Sequence, residues 1–460
     1  MVFLWQNQTI SGMEAVMQNI TIDFSRTDGR IRPLHGVNCA PYSKNDRGAF
    51  ATKVFRQAKI PSSRLHDCMG SYGGAHFVDI PNIFPDFDAD ETDPGNYDFT
   101  MTDSYIGAIV KARTKIVYRL GITIDWGIKK YHTMPPKDYS KWARICEHVI
   151  RHYNEGWADG FHWDIEDWEI WNEPENPPMW SGTREEYYDL YVTASKYLKG
   201  CFPNLKIGGY GGCGFYAVTR ENLSDFYKSF VPYFTDFLDV VKANDAPLDF
   251  YSWHIYNDDP AEVLTHARFV RDTLDAKGFT ETESSLNEWN YGPEGHSHLE
   301  KKTMTGATYV AAVMSELQAS GIVDTAMYYV ASAASSYNGL FRMEDSKAMK
   351  PYYVLCAWGD LWDMGQYHEA AGDTDGLYCC AASAEGGAKA GILLTNMGDT
   401  ARQAELRMEG LTPGQKVRFY LLEEASDMVL TRTEIFRGDT VIPVVQVPAK
   451  SVVYVTLEKE

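Results

Sequence analysis

Two glutamates carry the clearest chemical signal in the chain. Glu173 stands in Trp171-Asn172-Glu173-Pro174 and Glu288 in Asn287-Glu288-Trp289-Asn290, each closing a short apolar run of strand character. Two carboxyl groups on facing strand ends can cleave a glycosidic bond with retention of configuration. One protonates the leaving oxygen while the other attacks the anomeric carbon, the pair standing about 5 Å apart. The two must titrate differently, and mutual repulsion together with the nearby rings of Trp171 and Trp289 would separate them. Asn-Glu-Pro alone reads better as a helix start, because proline suits a first turn and a carboxylate there complements the helix dipole. Glu288 at a matching strand end moves the reading to catalysis.

In Asp249-Phe250-Tyr251-Ser252-Trp253-His254-Ile255-Tyr256, His254 and Tyr256 are two residues apart and share one side of a strand. A Tyr256 hydroxyl beside Glu288 would keep the nucleophile ionised and oriented, and His254 could donate to it or to a sugar hydroxyl. Isolated, such a histidine would be a satisfied core residue. Two other motifs carry no function. Gly209-Tyr210-Gly211-Gly212-Cys213-Gly214 matches a dinucleotide fingerprint but follows a fifth barrel strand, where glycines serve close backbone approach. His296 and His298 lack a Cys or acidic partner at ligand spacing, so no metal and no cofactor is expected.

The elements that must hold these residues follow from the hydrophobic pattern. Eight apolar or β-branched runs alternate with helical periods between about residues 35 and 345: 34–40, 60–66, 115–120, 168–172, 205–210, 249–256, 284–289 and 325–331. Helices are expected over 141–153 and 184–198, the second with Tyr188, Leu190, Tyr191, Ala194 and Leu198 on one face. Eight such repeats fit an α/β (β/α)₈ barrel better than an open sheet, and put strand-end polar residues at the mouth. After Pro351 short alternating strands read as a β-sandwich: 376–382, 390–395, 404–408, 416–422 and 445–455. The expected division is a barrel over 30–350 and an accessory β-sandwich from 1–29 plus 351–460, with 19–24 adding a strand to it.

A net charge of −20 repels a phosphate backbone, which argues against a nucleic-acid partner. Aromatic residues make up 13% of the chain, and such rings suit the C–H faces of sugars as well as a large core. The first residues show no signal-peptide pattern and no run is long enough to span a membrane. Eight scattered cysteines read as reduced thiols, so a cytoplasmic setting is expected and the sequons at Asn7, Asn19 and Asn222 as chance. Homo-oligomerisation is left open.

These residues together resemble glycoside hydrolase family 39, in the clan of retaining (β/α)₈ enzymes. The likeness rests on Trp168-Glu169-Ile170-Trp171-Asn172-Glu173-Pro174, Arg64-Leu65-His66-Asp67, Tyr97-Asp98-Phe99, Pro135-Pro136-Lys137-Asp138-Tyr139 leading to Trp142, His254-Ile255-Tyr256, Asn287-Glu288-Trp289-Asn290, Asn338-Gly339-Leu340-Phe341 and Lys350-Pro351-Tyr352-Tyr353. It implies Glu173 as acid/base, Glu288 as nucleophile, and Asn172 as donor to the sugar 2-hydroxyl. His254 and Tyr256 would surround the nucleophile, with His66 and Trp289 completing the sugar site. The implied activity is that of an exo-acting, β-xylosidase-like enzyme on a glycoside or oligosaccharide. The loop Ser332-Ala333-Ala334-Ser335-Ser336-Tyr337 is short and lacks the acidic and Trp residues of xylosidase members. An arabinoside, galactoside or glucoside is therefore the alternative substrate, and a non-catalytic sugar-binding barrel a further reading. Arg342 and Lys347 are the nearest cations for a uronate, and a surface loop leaves them solvated.

Overall fold

The computed structural model describes residues 17–40, 49–68, 76–124, 128, 130, 132–292, 298–374, 376–438 and 441–459. The opening octapeptide, Asn7 and His296 lie outside these residues. Two strands, β1 (Met17–Asp23) and β2 (Gly29–Arg30), precede the barrel. Its staves are β3 (Gly36–Asn38), β4 (Ser62–Arg64), β5 (Lys115–Leu120), β6 (Asp167–Ile170), β7 (Lys206–Gly212), β8 (Phe250–Asn257), β9 (Glu283–Tyr291) and β10 (Thr325–Tyr328). They pair in parallel in chain order, and β10 closes back on β3. Each expected run overlaps one stave, with β6, β7, β8 and β9 extending one to two residues past the expected bounds.

The helices fill the connections: α1 (Ala49–Ala58), α2 (Ile80–Ile83), α3 (Thr100–Lys111), α4 (Tyr139–Asn154), α5 (Arg184–Cys201), α6 (Asp225–Lys228), α7 (Phe230–Ala243), α8 (Pro260–Lys277), α9 (Met304–Ser320) and α10 (Lys350–Met364). α5 begins on a capping box, in which Thr183 Oγ1 accepts from Glu186 N and Glu186 Oε2 accepts from Thr183 N. Its buried face holds the five residues named from periodicity, and Tyr187 as well. None of the described helices is long and apolar enough to cross a membrane.

The remaining strands are β11 (Gln366–His368), β12 (Ala370–Gly372), β13 (Tyr378–Ser383), β14 (Lys389–Asn396), β15 (Arg402–Glu409), β16 (Lys416–Glu423), β17 (Ser426–Ile435), β18 (Val441–Val447) and β19 (Ser451–Glu458). They form a four-stranded sheet, β12-β1-β15-β18, and a seven-stranded sheet, β17-β16-β19-β14-β13-β11-β2. Ile20, Ile22, Leu406 and Val445 meet Ile392, Leu394 and Val455 in the core between them. Near the amino end, β1 lies parallel to β15 with Met17 opposite Gln403.

Two expectations need correction, and one strand was not anticipated. Residues 350–364 form α10 rather than the start of the sandwich. Pro351 opens this helix, where its missing N–H costs nothing, so it marks a beginning and not an end. The run 445–455 is two strands in different sheets, broken at Pro448 and at Lys450, whose φ is +45°. Finally, β17 carries no clean alternation of apolar residues because most of it is exposed, and its pattern gave no signal.

Candidate active site

The C-terminal ends of the staves open on a cavity of about 760 Å³, within the range of small-molecule sites. Glu173, Glu288, Asn172, His254, Tyr256 and His66 all line it. Glu288 projects from β9 and His254 and Tyr256 from β8, and the pairing of these strands shifts register between Trp253 and His254. Such a bulge beside a site re-aims the side chains that follow it. Glu173 lies just beyond β6, with φ +43° and its amide donating to the carbonyls of Tyr210 and Gly211. That anchors its side chain toward β7 and β8.

The floor of the cavity is one buried polar network built around Arg64 of β4. Its guanidinium donates to Glu169 Oε2 at 2.6 Å, Glu288 Oε1 at 2.8 Å, Asn172 Oδ1 at 2.6 Å and Asn38 Oδ1 at 3.2 Å. Glu169 is closed on its other side by Ser252 Oγ and Asn287 Nδ2, each at 2.6 Å. Tyr256 donates to Glu288 Oε2 at 2.7 Å. Because Asn172 spends its oxygen on Arg64, its amide nitrogen is left to face the cavity as a donor. Gly211, with φ +63°, permits this convergence. A β-carbon there would meet Asn172 Oδ1 at 3.0 Å, Arg64 Nη2 at 3.1 Å and His254 Nε2 at 3.2 Å. The glycine-rich run thus serves close approach at the mouth.

Glu173 Oε1 lies 2.8 Å from His254 Nδ1, and Asn176 Nδ2 donates to Oε2 at 3.1 Å. Burial works to raise the Glu173 carboxyl, but the hydrogen bond and charge of His254 outweigh it and hold it below the usual range. Burial, then the charge of Glu288, lifts the Tyr256 phenol well above its ordinary value, so it remains a donor. Burial, then the cations Arg64 and Arg119, push His66 well below the imidazole range and leave it neutral. One oxygen each of Glu173 and Glu288 and one nitrogen of His254 lie within 4.8 Å of one another. Among the described residues this is the one His/Cys/Asp/Glu cluster with spacing to hold a metal ion.

Two expectations for individual residues change. His254 bonds mainly to Glu173, its contact with Glu288 being 3.6 Å, because the loop after β6 is drawn toward β8. Trp289 does not line the cavity. It is fully buried against Tyr309 and Tyr328, since strand alternation sends it outward when Glu288 points in, and Trp171 likewise packs on Trp142 and Trp180. Neither tryptophan sets the carboxyl groups apart. Arg64, Glu169, Asp67 and Cys213 were missed as parts of the site. A charged residue inside a buried strand run needs a buried partner, and that rule singles out Arg64 and Glu169. Arg342 is exposed and paired with Asp345, away from the cavity.

A closed parallel barrel with converging carboxylates at its C-terminal mouth defines an acid–base barrel carrying an accessory β-sandwich. The family model "Glycosyl hydrolases family 39" matches residues 86–390, and the chain belongs to that family. A stretch of 210 residues, 41% of the chain, is 27% identical to the beta-xylosidase of Geobacillus stearothermophilus and spans 38% of that protein. The glucosidase from Croceicoccus marinus superposes with a TM-score of 0.79 at 23% identity, over 97% of this chain and 100% of that one. A monomeric beta-xylosidase from Caulobacter crescentus CB15 gives 0.71 at 16%, over 96% and 99%. At these identities the structural likeness is one of fold.

Proposed function

We propose that this protein is a retaining exo-glycosidase, with Glu173 as acid/base and Glu288 as nucleophile, acting first on β-xylosides. The carrying observation is the gap between the carboxylates, oxygens of which lie within 4.8 Å. A retaining pair stands about 5–5.5 Å apart, whereas an inverting pair needs about 6.5–9.5 Å to admit water.

Glu288, held in place by hydrogen bonds from Arg64 and Tyr256, attacks the anomeric carbon. Glu173 protonates the departing oxygen and then deprotonates the water that releases the sugar. In the empty site His254 holds the Glu173 carboxyl low across a 2.8 Å hydrogen bond; substrate dries the site, burial of the carboxylate becomes costlier, and Glu173 rises to take up the proton that it donates. The free amide of Asn172 donates to the 2-hydroxyl, a contact that tightens as oxocarbenium character develops. Phe226, Tyr227 and Tyr337, each about two-fifths exposed at the rim, offer rings to the aglycone.

The family, the partial match to a beta-xylosidase and the carboxylate spacing support this reading. A second sugar, a glucoside above all, is favoured by the uncharged loop over 332–337 and by the glucosidase of similar fold. A panel of nitrophenyl glycosides separates the two, and no cleavage of the β-xyloside would remove the first. Following the product by NMR tests the mechanism: the first-formed sugar keeps its anomeric configuration, and an inverted product would sink it. Activity is expected to survive a chelator, because Glu173, His254 and Glu288 act here as acid, donor and nucleophile rather than as ligands.

A further inference from the structure

Three carboxylates line the cavity among the described residues, Glu173, Glu288 and Asp67, and the proposed chemistry uses two. Asp67 follows β4 with φ +50°, a backbone conformation uncommon outside glycine that turns its side chain into the mouth. Tyr329 donates to its Oδ2 at 2.7 Å and the amide of Ile124 to its Oδ1 at 3.2 Å. Burial, then the charge of Glu288, lifts its pKa to about 6 against the Tyr329 hydrogen bond, so it is an anion at neutral pH.

A carboxylate offers about four acceptor positions, and these two donors fill two. The side chain remains 22% exposed, toward the cavity it lines. His66 Nε2 lies 3.4 Å from Asp67 Oδ1 and 3.7 Å from Glu288 Oε1, so a single nitrogen stands between the two carboxylates. A sugar with its anomeric carbon at Glu288 therefore brings its more distant hydroxyls to Asp67. The side chains of the last loop that reach the cavity, Ala334, Ser335, Ser336 and Tyr337, carry no charge, and no Lys or Arg lines it among the described residues.

We propose that Asp67 selects the glycone: it accepts hydrogen bonds from the sugar hydroxyls beyond C2 and restricts the site to neutral sugars. This rests on the glycosidase reading above. Asp67 is fixed in advance by Tyr329 and Ile124, so it needs little ordering when sugar binds, and its charge repels a uronate or a phosphorylated sugar.

The test compares kcat/KM of wild type and Asp67→Asn on the best nitrophenyl glycoside of the panel and on its 3-deoxy and 4-deoxy analogues. Wild type is expected to lose roughly 10- to 100-fold on one deoxy substrate, the effect of a lost hydrogen bond to a charged group. Asp67→Asn is expected to lose a similar factor on the parent and to treat that deoxy analogue nearly as wild type does. The matching glycuronide should be cleaved at least 100-fold more slowly than the neutral parent. The deoxy comparison in wild type needs no variant to fold. Equal losses on parent and deoxy substrates in Asp67→Asn, or a wild type indifferent to both deoxygenations, overturns the assignment and leaves the glycosidase reading standing. A wild type that cleaves no glycoside overturns that reading, and this assignment with it.

Discussion

Arg64 is a full charge without solvent exposure, held by two carboxylates and two amide oxygens. Burial alone would lower its pKa, but Glu169 and Glu288 raise it above the ordinary value, so its charge is permanent. Breaking a buried pair leaves an uncompensated charge that costs about 3–5 kcal/mol. Arg64→Met should lower stability by that order in denaturant melts and abolish turnover. Adding Glu169→Gln should recover part of the stability and none of the activity, because Glu288 still lacks its cation. Glu175 behaves oppositely. Burial, then the charge of Glu173, lifts it from 4.5 to about 8, with Oε2 enclosed and unpartnered and Oε1 accepting from Cys213 N at 2.6 Å. Its folded pKa is raised, so its contribution to stability is complete below the unfolded pKa near 4.5 and is lost as pH rises through about 8. Across that window the loss is at most about 5 kcal/mol. Thermal melts of Glu175→Gln between pH 5 and 9 should show a flatter alkaline decline than wild type, and equal slopes would refute it.

Among the elements, β7 and β8 do most to shape the mouth. The pairing of β7 with β8 shifts register between Gly209 and Gly212, and that of β8 with β9 at His254. Both irregularities lie where a regular strand would aim its side chains elsewhere. Gly211 leaves the space in which Asn172, Arg64 and His254 meet. Gly211→Ala forces its neighbours aside at a φ of +63°, and displacements well under an ångström suffice to spoil a catalytic alignment. We expect kcat/KM to fall by about 10- to 100-fold while the melting temperature drops by only a few degrees. A proportionate loss of both would assign Gly211 a purely structural role.

At the scale of the whole molecule, α9 shows why barrel and sandwich form one body. It is buried nearly all round, with Ala307, Tyr309, Val310, Val313, Met314 and Leu317 out of solvent. A helix apolar on every side must be covered on every side. The barrel covers one flank of α9, and β13, β14 and β19 cover the other, with α10 alongside. Leu393 and Tyr454 of the seven-stranded sheet belong to the same continuous core as the barrel residues. Calorimetry is therefore expected to show one unfolding transition, and Leu393→Asp to depress it as a whole. Two separable transitions would contradict the shared core.

The periodicity of apolar residues is local, and it was enough to number the eight staves, the helices α4 and α5, the buried face of α5 and the paired glutamates at the strand ends. Residue type and spacing also marked His254 and Tyr256, since alternation on one strand needs no tertiary knowledge. Pro351 and the strands on either side of Pro448 were misplaced because proline marks starts and stops alike. What only the tertiary structure decided is who bonds to whom. Arg64, Glu169, Asn287 and Ser252 come from four staves, and their hydrogen bonds exist only once the barrel closes. The same closure turned His254 toward Glu173, sent Trp289 outward, and left Asp67 as an anion facing the cavity. Sequence encodes which side chains point inward; the bulges and the left-handed turns at Asp67 and Glu173 set the angles at which they meet.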